Sequence, residues 1–474
     1  MPFNDIREFI ARLEKEGDAQ RIEEEVDWNL EVGAMVRRSN ELCLPAPFFQ
    51  KVKGYGPEYR VFGEPLSTHR RIAVAMEMAA NTPVKELIAE YAKRKQSPIK
   101  PILVKNGPCK ENIRKGSDVN LLEFPVPLIH EGDGGRYIGT WHLTISRDVN
   151  SDWVNWGMYR HMLHDRNRIG LQAGPPTHVM KIKQGWKDKG KPMEIAIALG
   201  TEPVSTFCAA GPIPYGVSEA DIVGGIRGEP LQLIKCETVD LEVPATAEIV
   251  IEGTVDHEEA VDEGPFGEYT GYMGGHREPR PVVRVSAVTY RNNPILTMGN
   301  EGMPVTGTHA TQSITRSAEC LDILKTQGVP AVGAFEFTEG CTLVMVVAIR
   351  AGLARADDVA HAIWASRLGV STPYVIVVED DVDPYDLKQV FHAVVSKCHP
   401  WRGIVRLERA RGQALMPFLS RYEQKHLLGA RVYFDCTWPV DWNPADVPVK
   451  CSFENMYPAE IRDKALAKWR KYGF

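Results

Sequence analysis

The chain has 474 residues, 43% hydrophobic and 25% charged, with a formal net charge of -6. That length holds two or three domains around a large core, the lack of a basic excess argues against nucleic acid as a partner, and no apolar run of about 18 residues offers a membrane span. Nine cysteines without a CxxC pattern favour reduced thiols, and the N-terminus lacks the apolar stretch of a signal peptide, so the expected compartment is the cytoplasm.

In chain order, residues 4–16 predict an amphipathic helix, with Ile6, Phe9, Ile10 and Leu13 on one face and Asn4 or Asp5 as cap. IAVAMEM at 72–78 reads as a strand, and 83–95 as a helix. The polar, glycine-containing stretch 105–118 reads as a linker. From about 120 to 300 the pattern is mostly β, with candidate strands GTWHLTISRD, NWGMYRHMLH, MEIAIALG, AEIVIEG and PVVRVSAVTYR, and one helix at 218–228 capped by Ser218. A barrel or sandwich with inserted helices fits this region. Beyond 300, helices near 310–326, 355–368 and 386–397 alternate with apolar strands VPAVGAFEF, TLVMVVAIR and PYVIVVEDD, which predicts an α/β layer. A last helix starts at Pro458, and such a terminal helix docks on a neighbour in many homo-oligomers.

The usual signatures GxGxxG after a strand, GxxxxGK[ST], GxSxG and HExxH are all absent. EGDGGRYIG at 131–139 can approach a ligand closely, although a mobile hairpin loop is the commoner reading. EGPFGEYTGY at 263–272 sets Glu263 and Glu268 on either side of a Gly-Pro-Phe-Gly bend. Either these are solvated acids of a surface turn, or they form an acid/base pair on stiff backbone. An arginine such as Arg160 beside both would lower the pKa of one, while desolvation raises the other. Asn155, His178 and Glu219 offer an amide oxygen, an imidazole and a carboxylate, a mixture suited to a Mg²⁺- or Mn²⁺-like ion. A capping Asn, a surface His and a Glu in a first helical turn explain the same residues without a metal. His309 and Arg316 lie seven apart on one helical face and are either a reader of a second polar group on a substrate or, more commonly, a solvated or interface-facing pair.

Taken together, NDIREFIARLEKEGD, TPVKELI, NWGMYR, PIPYGVSEADIVGGIRGEP, EGPFGEYTGY and EDDVDPYDLKQVFHAVVSKCHP make the chain resemble, over nearly its whole length, the UbiD family of prenylated-FMN-dependent decarboxylases, and within it the phenolic-acid (hydroxybenzoate) decarboxylases. The resemblance implies an α+β fold: an N-terminal α/β region (1–110), a flavin-reductase-like split β-barrel that binds cofactor (111–305), and a C-terminal α/β oligomerisation domain (306–474). It implies a catalytic network of Glu263, Arg160 and Glu268. Arg160 orients the substrate carboxylate, Glu268 delivers a proton, and Glu263 holds Arg160. It implies Mn²⁺ on Asn155, His178 and Glu219, and K⁺ at Trp153, Cys208, Ala209, Gly211, Glu219 and Lys397. Prenylated FMN is then expected against Asn155, Met158, Arg160, Thr177, His178, Ala209, Gly211 and Glu219. Arg367 is expected at the phosphate, where the family more often has lysine. The expected reaction is reversible loss of CO₂ from a phenolic acid first, a furan, pyrrole or indole carboxylate second, and an α,β-unsaturated acid third. The expected assembly is a homodimer or hexamer, with a flavin prenyltransferase as cofactor supplier. An FMN oxidoreductase on the same barrel and a non-catalytic oligomeric subunit are the rival classes.

Overall fold

The computed structural model describes residues 1–474. The first helix forms at Ile6–Lys15, capped by Asp5, which accepts the Glu8 N–H, and it buries Ile6, Phe9, Ile10 and Leu13. It packs on a four-stranded sheet in the order Ala19–Val26, Ala46–Val52, Arg60–Gly63 and Ile295–Met298. Residues 72–78 are not a strand. His69–Ala75 is a helix whose cap, Thr68, accepts the Arg71 N–H. All of Arg71–Ala75 is buried, so the helix has no polar face whose spacing the sequence could reveal.

The middle sheet has seven strands, in the order Arg168–Gly170, Glu278–Tyr290, Ile249–Glu263, Met193–Leu199, His142–Arg147 and Val154–Gly157, with Asn112–Lys115 added beside Glu278–Tyr290. Part of the expected linker is therefore a strand. The path is open, and no closed barrel forms. One face packs Ile195, Ile197, Leu199 and Ile251 into a local core. The other contributes Leu143, Ile145, Trp156 and Ala198 to a core that continues through Phe9, Phe207, Ala310 and Val346 and so spans all three regions of the chain. Helices His178–Asp188, Pro203–Ala209 and Glu219–Arg227 cover the sheet's edge, the last capped by Ser218 and ended by Gly228 in the left-handed region.

The strand expected across 155–164 stops at Gly157, and His161–Met162 pairs instead with Tyr137–Gly139. A Cβ on Gly157 would lie 2.5 Å from the Tyr159 ring, which folds back over it. The Tyr159 carbonyl accepts a hydrogen bond from His142 Nε2 at 3.0 Å. The chain thus leaves the sheet between Gly157 and His161 and carries Arg160 out of strand alternation.

The C-terminal sheet runs Ala331–Phe335, Val344–Ile349, Tyr374–Glu379, Leu428–Cys436, Ile404–Arg411. Helices Gly307–Thr326, Ala356–Ala365 and Leu387–Ser396 accompany it, close to their expected places. The terminal helix Ala459–Lys468 buries none of its residues. All nine cysteines are free, and no helix is long and apolar enough to cross a membrane.

Candidate active site

The strand Ile249–Glu263 ends on Glu263, which pairs across the sheet with Glu278. The chain then turns sharply. Gly264 has φ +83°, and a Cβ there would also meet the His276 carbonyl oxygen at 2.9 Å, so only glycine fits. The Gly264–Pro265 peptide is cis. Phe266–Gly267 pairs with Met273–Gly274 to make a miniature hairpin that presents Glu268.

Arg160 lies between the two acids. Its Nε donates to Glu263 Oε1 at 2.8 Å and its Nη2 to Glu263 Oε2 at 2.9 Å, a planar bidentate pair, while Nη1 donates to Glu268 Oε1. The guanidinium also lies 5.1 Å from the Phe266 ring centroid. All three side chains are nearly out of water: 10% of Arg160, 1% of Glu263 and 9% of Glu268 remain exposed. Burial pushes the Glu268 carboxyl up to about 7; Arg160 opposes this, and the charges of Glu301, Glu263 and Asp133 add to it. Burial opposes the Arg160 charge, yet its bond to Glu263 and the charges of both glutamates raise its pKa above the ordinary value. The solvated-turn alternative is thus excluded by burial, and a single cation faces two buried acids.

Two supports that sequence reasoning missed hold this arrangement. Tyr137 donates its hydroxyl to Glu263 Oε1 at 2.8 Å. Residues 131–139 are not a loose loop: Asp133 Oδ1 accepts the Gly267 N–H at 3.0 Å, the Gly134 N–H reaches the Pro265 carbonyl at 2.7 Å, and His130 pairs with Asp133 at 3.1 Å. A Cβ on Gly134 would lie 2.1 Å from the Gly264 carbonyl oxygen, which explains why glycine occupies that position. These contacts are distant in sequence, and no local pattern announces them.

The second group gathers where the Val154–Gly157 strand meets two helix N-termini. His178 Nδ1 lies 3.1 Å from Asn155 Oδ1, and Glu219 Oε2 accepts the Trp156 N–H at 2.9 Å. Burial pushes Glu219 up to about 8, with the Trp156 N–H and the Arg367 charge opposing it. Burial, then Lys181 and Arg367, hold His178 below the usual imidazole range. The Asn155 amide Nδ2 is buried with no hydrogen-bond partner. A carboxylate costly to ionise, a neutral imidazole and a buried amide fit a divalent cation that would stabilise the charged glutamate. No cluster of three His, Cys, Asp or Glu forms anywhere, because the third donor here is an amide. Trp153 and Tyr215 flank the His178 ring at 5.6 and 5.3 Å.

Around this group, Thr177 precedes the helix His178–Asp188, whose first turn holds no acid and whose start has no side-chain cap, a setting that suits an anion. Arg367 keeps a buried Nη2 without a hydrogen bond, 3.2 Å from Glu319. Cys208 and Ala209 close the helix Pro203–Ala209, and the Gly211 N–H bonds the Cys208 carbonyl at 3.0 Å. Burial raises the Cys208 thiol, with Glu202 and Glu219 adding to the shift, so Cys208 lies near Glu219. Met158 packs at the margin of the main core. The Lys397 ammonium is held by Glu379 at 2.6 Å and Asp381 at 2.9 Å in the C-terminal layer.

His309 and Arg316 are not a solvated pair. Arg316 is buried and held by Glu336 at 2.6 Å, Ser371 at 2.8 Å and Thr372 at 2.7 Å. His309 is 1% exposed and bonds at both ring nitrogens to protein.

Three family models match the chain in succession, each described by 3-octaprenyl-4-hydroxybenzoate carboxy-lyase: its N-terminal domain over residues 10–91, its Rift-related domain over 102–304 and its C-terminal domain over 309–436. The chain belongs to the UbiD family. This UbiD-family carboxy-lyase is 33% identical to pyrrole-2-carboxylic acid decarboxylase of Pseudomonas aeruginosa, covering 99% of this chain and 98% of that one. It is 32% identical to ferulic acid decarboxylase 1 of Saccharomyces cerevisiae (100% and 99% covered) and 35% identical to phenolic acid decarboxylase of Bacillus subtilis (84% and 86% covered). Among solved structures it superposes on the closed form of Sedimentibacter hydroxybenzoicus vanillic acid decarboxylase with a TM-score of 0.89 at 28% identity, covering 99% and 100%. An evolved dimeric form of the UbiD-class enzyme HmfF from Pelotomaculum thermopropionicum, in complex with prFMN, matches with a TM-score of 0.80 at 28% identity, covering 94% and 97%.

Proposed function

We propose that the protein catalyses reversible, non-oxidative decarboxylation of an aromatic carboxylic acid with prenylated FMN as cofactor. The observation that carries this reading is Arg160 clasped between Glu263 and Glu268, with the Glu268 carboxyl lifted to about 7. When bound, the prenylated flavin supplies the electron sink that loss of CO₂ from an sp² carbon requires. Arg160 spends Nε and one N–H of each terminal nitrogen on the glutamates, which leaves one N–H on each terminal nitrogen to orient a substrate carboxylate. Glu268 holds its proton near neutral pH and delivers it to the carbon that has lost CO₂. Glu263, with Tyr137 behind it, keeps Arg160 in place.

Asn155, His178 and Glu219 would hold a divalent ion, Mn²⁺ in this reading. The helix start at Thr177 and His178, with Arg367 opposite, would take the cofactor phosphate. K⁺ would lie at Trp153, Cys208, Ala209, Gly211, Glu219 and Lys397, held largely by backbone carbonyls. The open sheet is read as the split barrel of the flavin reductases, with 1–110 and 306–474 as flanking domains. The exposed terminal helix, with Ile461 at 51% and Leu466 at 56%, favours assembly as a homodimer or hexamer. A flavin prenyltransferase would supply the cofactor, and nine free thiols suit the cytoplasm. Relatives named for pyrrole-2-carboxylic and phenolic acids support aromatic and heteroaromatic substrates. The ferulic acid decarboxylases support an α,β-unsaturated acid as the second reading.

The test is co-expression with a flavin prenyltransferase, then the mass of the small molecule released on denaturation and CO₂ release from a panel of such acids. Prenylated FMN in the wild type and in Glu268→Gln, with turnover roughly 10²–10⁴-fold lower in the variant, supports the reading. Plain FMN reduced by NADH would instead identify an oxidoreductase.

A further inference from the structure

Glu268 sits on a two-strand hairpin, a small element to hold a proton donor in place. What fixes it lies on the next residue. The Tyr269 carbonyl accepts a hydrogen bond from His309 Nε2 at 2.6 Å. His309 stands in the first turn of the helix Gly307–Thr326, and its Nδ1 accepts the Thr306 backbone N–H at 3.0 Å. Thr306 Oγ1 donates to Glu301 Oε2 at 3.0 Å, so its proton does not compete for Nδ1. With Nδ1 occupied as an acceptor, the ring proton must reside on Nε2, where it points at Tyr269. The Tyr269 ring is fixed from the other side, where its hydroxyl donates to Gln413 Oε1 at 3.2 Å.

We propose that His309 is a positioning residue for Glu268: its Nε2–H pins the carbonyl of the following residue and so holds the acid against Arg160 and toward the substrate. This rests on the decarboxylase reading, in which Glu268 is the proton donor. The two ring nitrogens have separate duties, one as helix cap and one as clamp, and two amide substitutions separate them. In His309→Asn the side-chain oxygen sits where Nδ1 was and keeps the cap, but the side chain is too short to reach Tyr269. In His309→Gln the amide NH₂ reaches the Nε2 position and keeps the clamp while the cap is lost.

The experiment compares wild type, His309→Asn, His309→Gln and Glu268→Gln, each co-expressed with a flavin prenyltransferase. It reads cofactor content, melting temperature, and kcat and KM on pyrrole-2-carboxylate, ferulate and 4-hydroxybenzoate. It also reads amide hydrogen exchange of residues 264–274, which needs no substrate. His309→Asn is expected to lose roughly a hundredfold in kcat at unchanged KM and cofactor content, with faster exchange in the turn, because a small misplacement of a reacting group is costly. His309→Gln is expected to stay within a few-fold of wild type in kcat and exchange, with a lower melting temperature. The opposite order, with Asn harmless and Gln damaging, or unchanged exchange in His309→Asn, overturns the proposal and leaves His309 as a helix cap. If Glu268→Gln turns over like wild type, the reading of Glu268 fails, and the exchange result still decides whether His309 clamps the turn.

Discussion

Glu263→Gln tests the electrostatics of the site more sharply than removal of the acid itself. Glutamine keeps the shape and can still accept from Tyr137, but it removes one of the two charges that face Arg160. Two carboxylates on different edges of one guanidinium lie roughly 6 Å apart, so at an effective dielectric of about 20 their repulsion is about 3 kcal/mol, an upper bound of about two pH units. Relaxation and residual water bring the expected effect to about one unit. The direction is fixed by the pair: with Glu263 neutral, Arg160 serves Glu268 alone, ionisation of Glu268 becomes easier, and its pKa falls from about 7. The proton donor must be protonated to act, so the alkaline limb of kcat in the cofactor-loaded enzyme moves to lower pH. The same shift has a stability signature. A carboxyl at about 7 in the fold binds a proton that the unfolded chain, near 4.5, has released. The stability it contributes is present below about 4.5 and lost as pH rises through 7. In Glu263→Gln that loss still begins near 4.5 but ends at lower pH and is smaller in total. Melting curves from pH 4.5 to 8, beside the pH–rate profile, read both. A limb that stays put or moves to higher pH would refute the assignment of Glu268 as the acid tuned by Glu263.

Gly264→Ala forces a side chain into the left-handed region and against the His276 carbonyl, so it is expected to cost roughly 1–3 kcal/mol and most of the activity, read by denaturant melts and turnover. Glu219→Gln is expected to abolish the rise in melting temperature that added Mn²⁺ gives the wild type, while the metal-free variant stays at least as stable as metal-free wild type at pH 8; a preserved Mn²⁺ effect would remove Glu219 from the ligand set. Deleting residues 458–474, which include a helix with no buried residue, is expected to lower the assembly mass in light scattering without unfolding the monomer.

The local elements were legible where a cap and a one-sided apolar face coincide, as at Asp5 with Ile6–Lys15 and Ser218 with Glu219–Arg227. They were not where burial is uniform, as at His69–Ala75, or where a glycine lets an aromatic ring fold back, as at Gly157 beneath Tyr159. The bend around Pro265 singled out the two acids but left a solvated turn open, and the family resemblance joined Arg160 to them. Their actual company could not be: Tyr137, Asp133 and Glu301 approach through folds of the chain that no spacing encodes. Seven-residue spacing correctly placed His309 and Arg316 on one helix but gave no hint that both are buried against protein partners.

Arg160 and Glu268 are held in the same way, through the backbone of a neighbouring tyrosine. The Tyr159 carbonyl, just before Arg160, accepts from His142, and the Tyr269 carbonyl, just after Glu268, accepts from His309. Burial keeps both imidazoles below their ordinary pKa, hence neutral, with a single ring proton to donate. A neutral imidazole is a donor of fixed direction on a stiff ring, whereas a lysine or arginine in its place would bring a second cation close to the acid and lower the pKa that its proposed chemistry needs. Substituting leucine for His142 should therefore act on Arg160 as loss of the His309 clamp acts on Glu268, through orientation, with kcat falling while the alkaline limb stays near its wild-type position. A shift of that limb in His142→Leu would mean that the histidine acts by charge, and neutrality would no longer explain its presence.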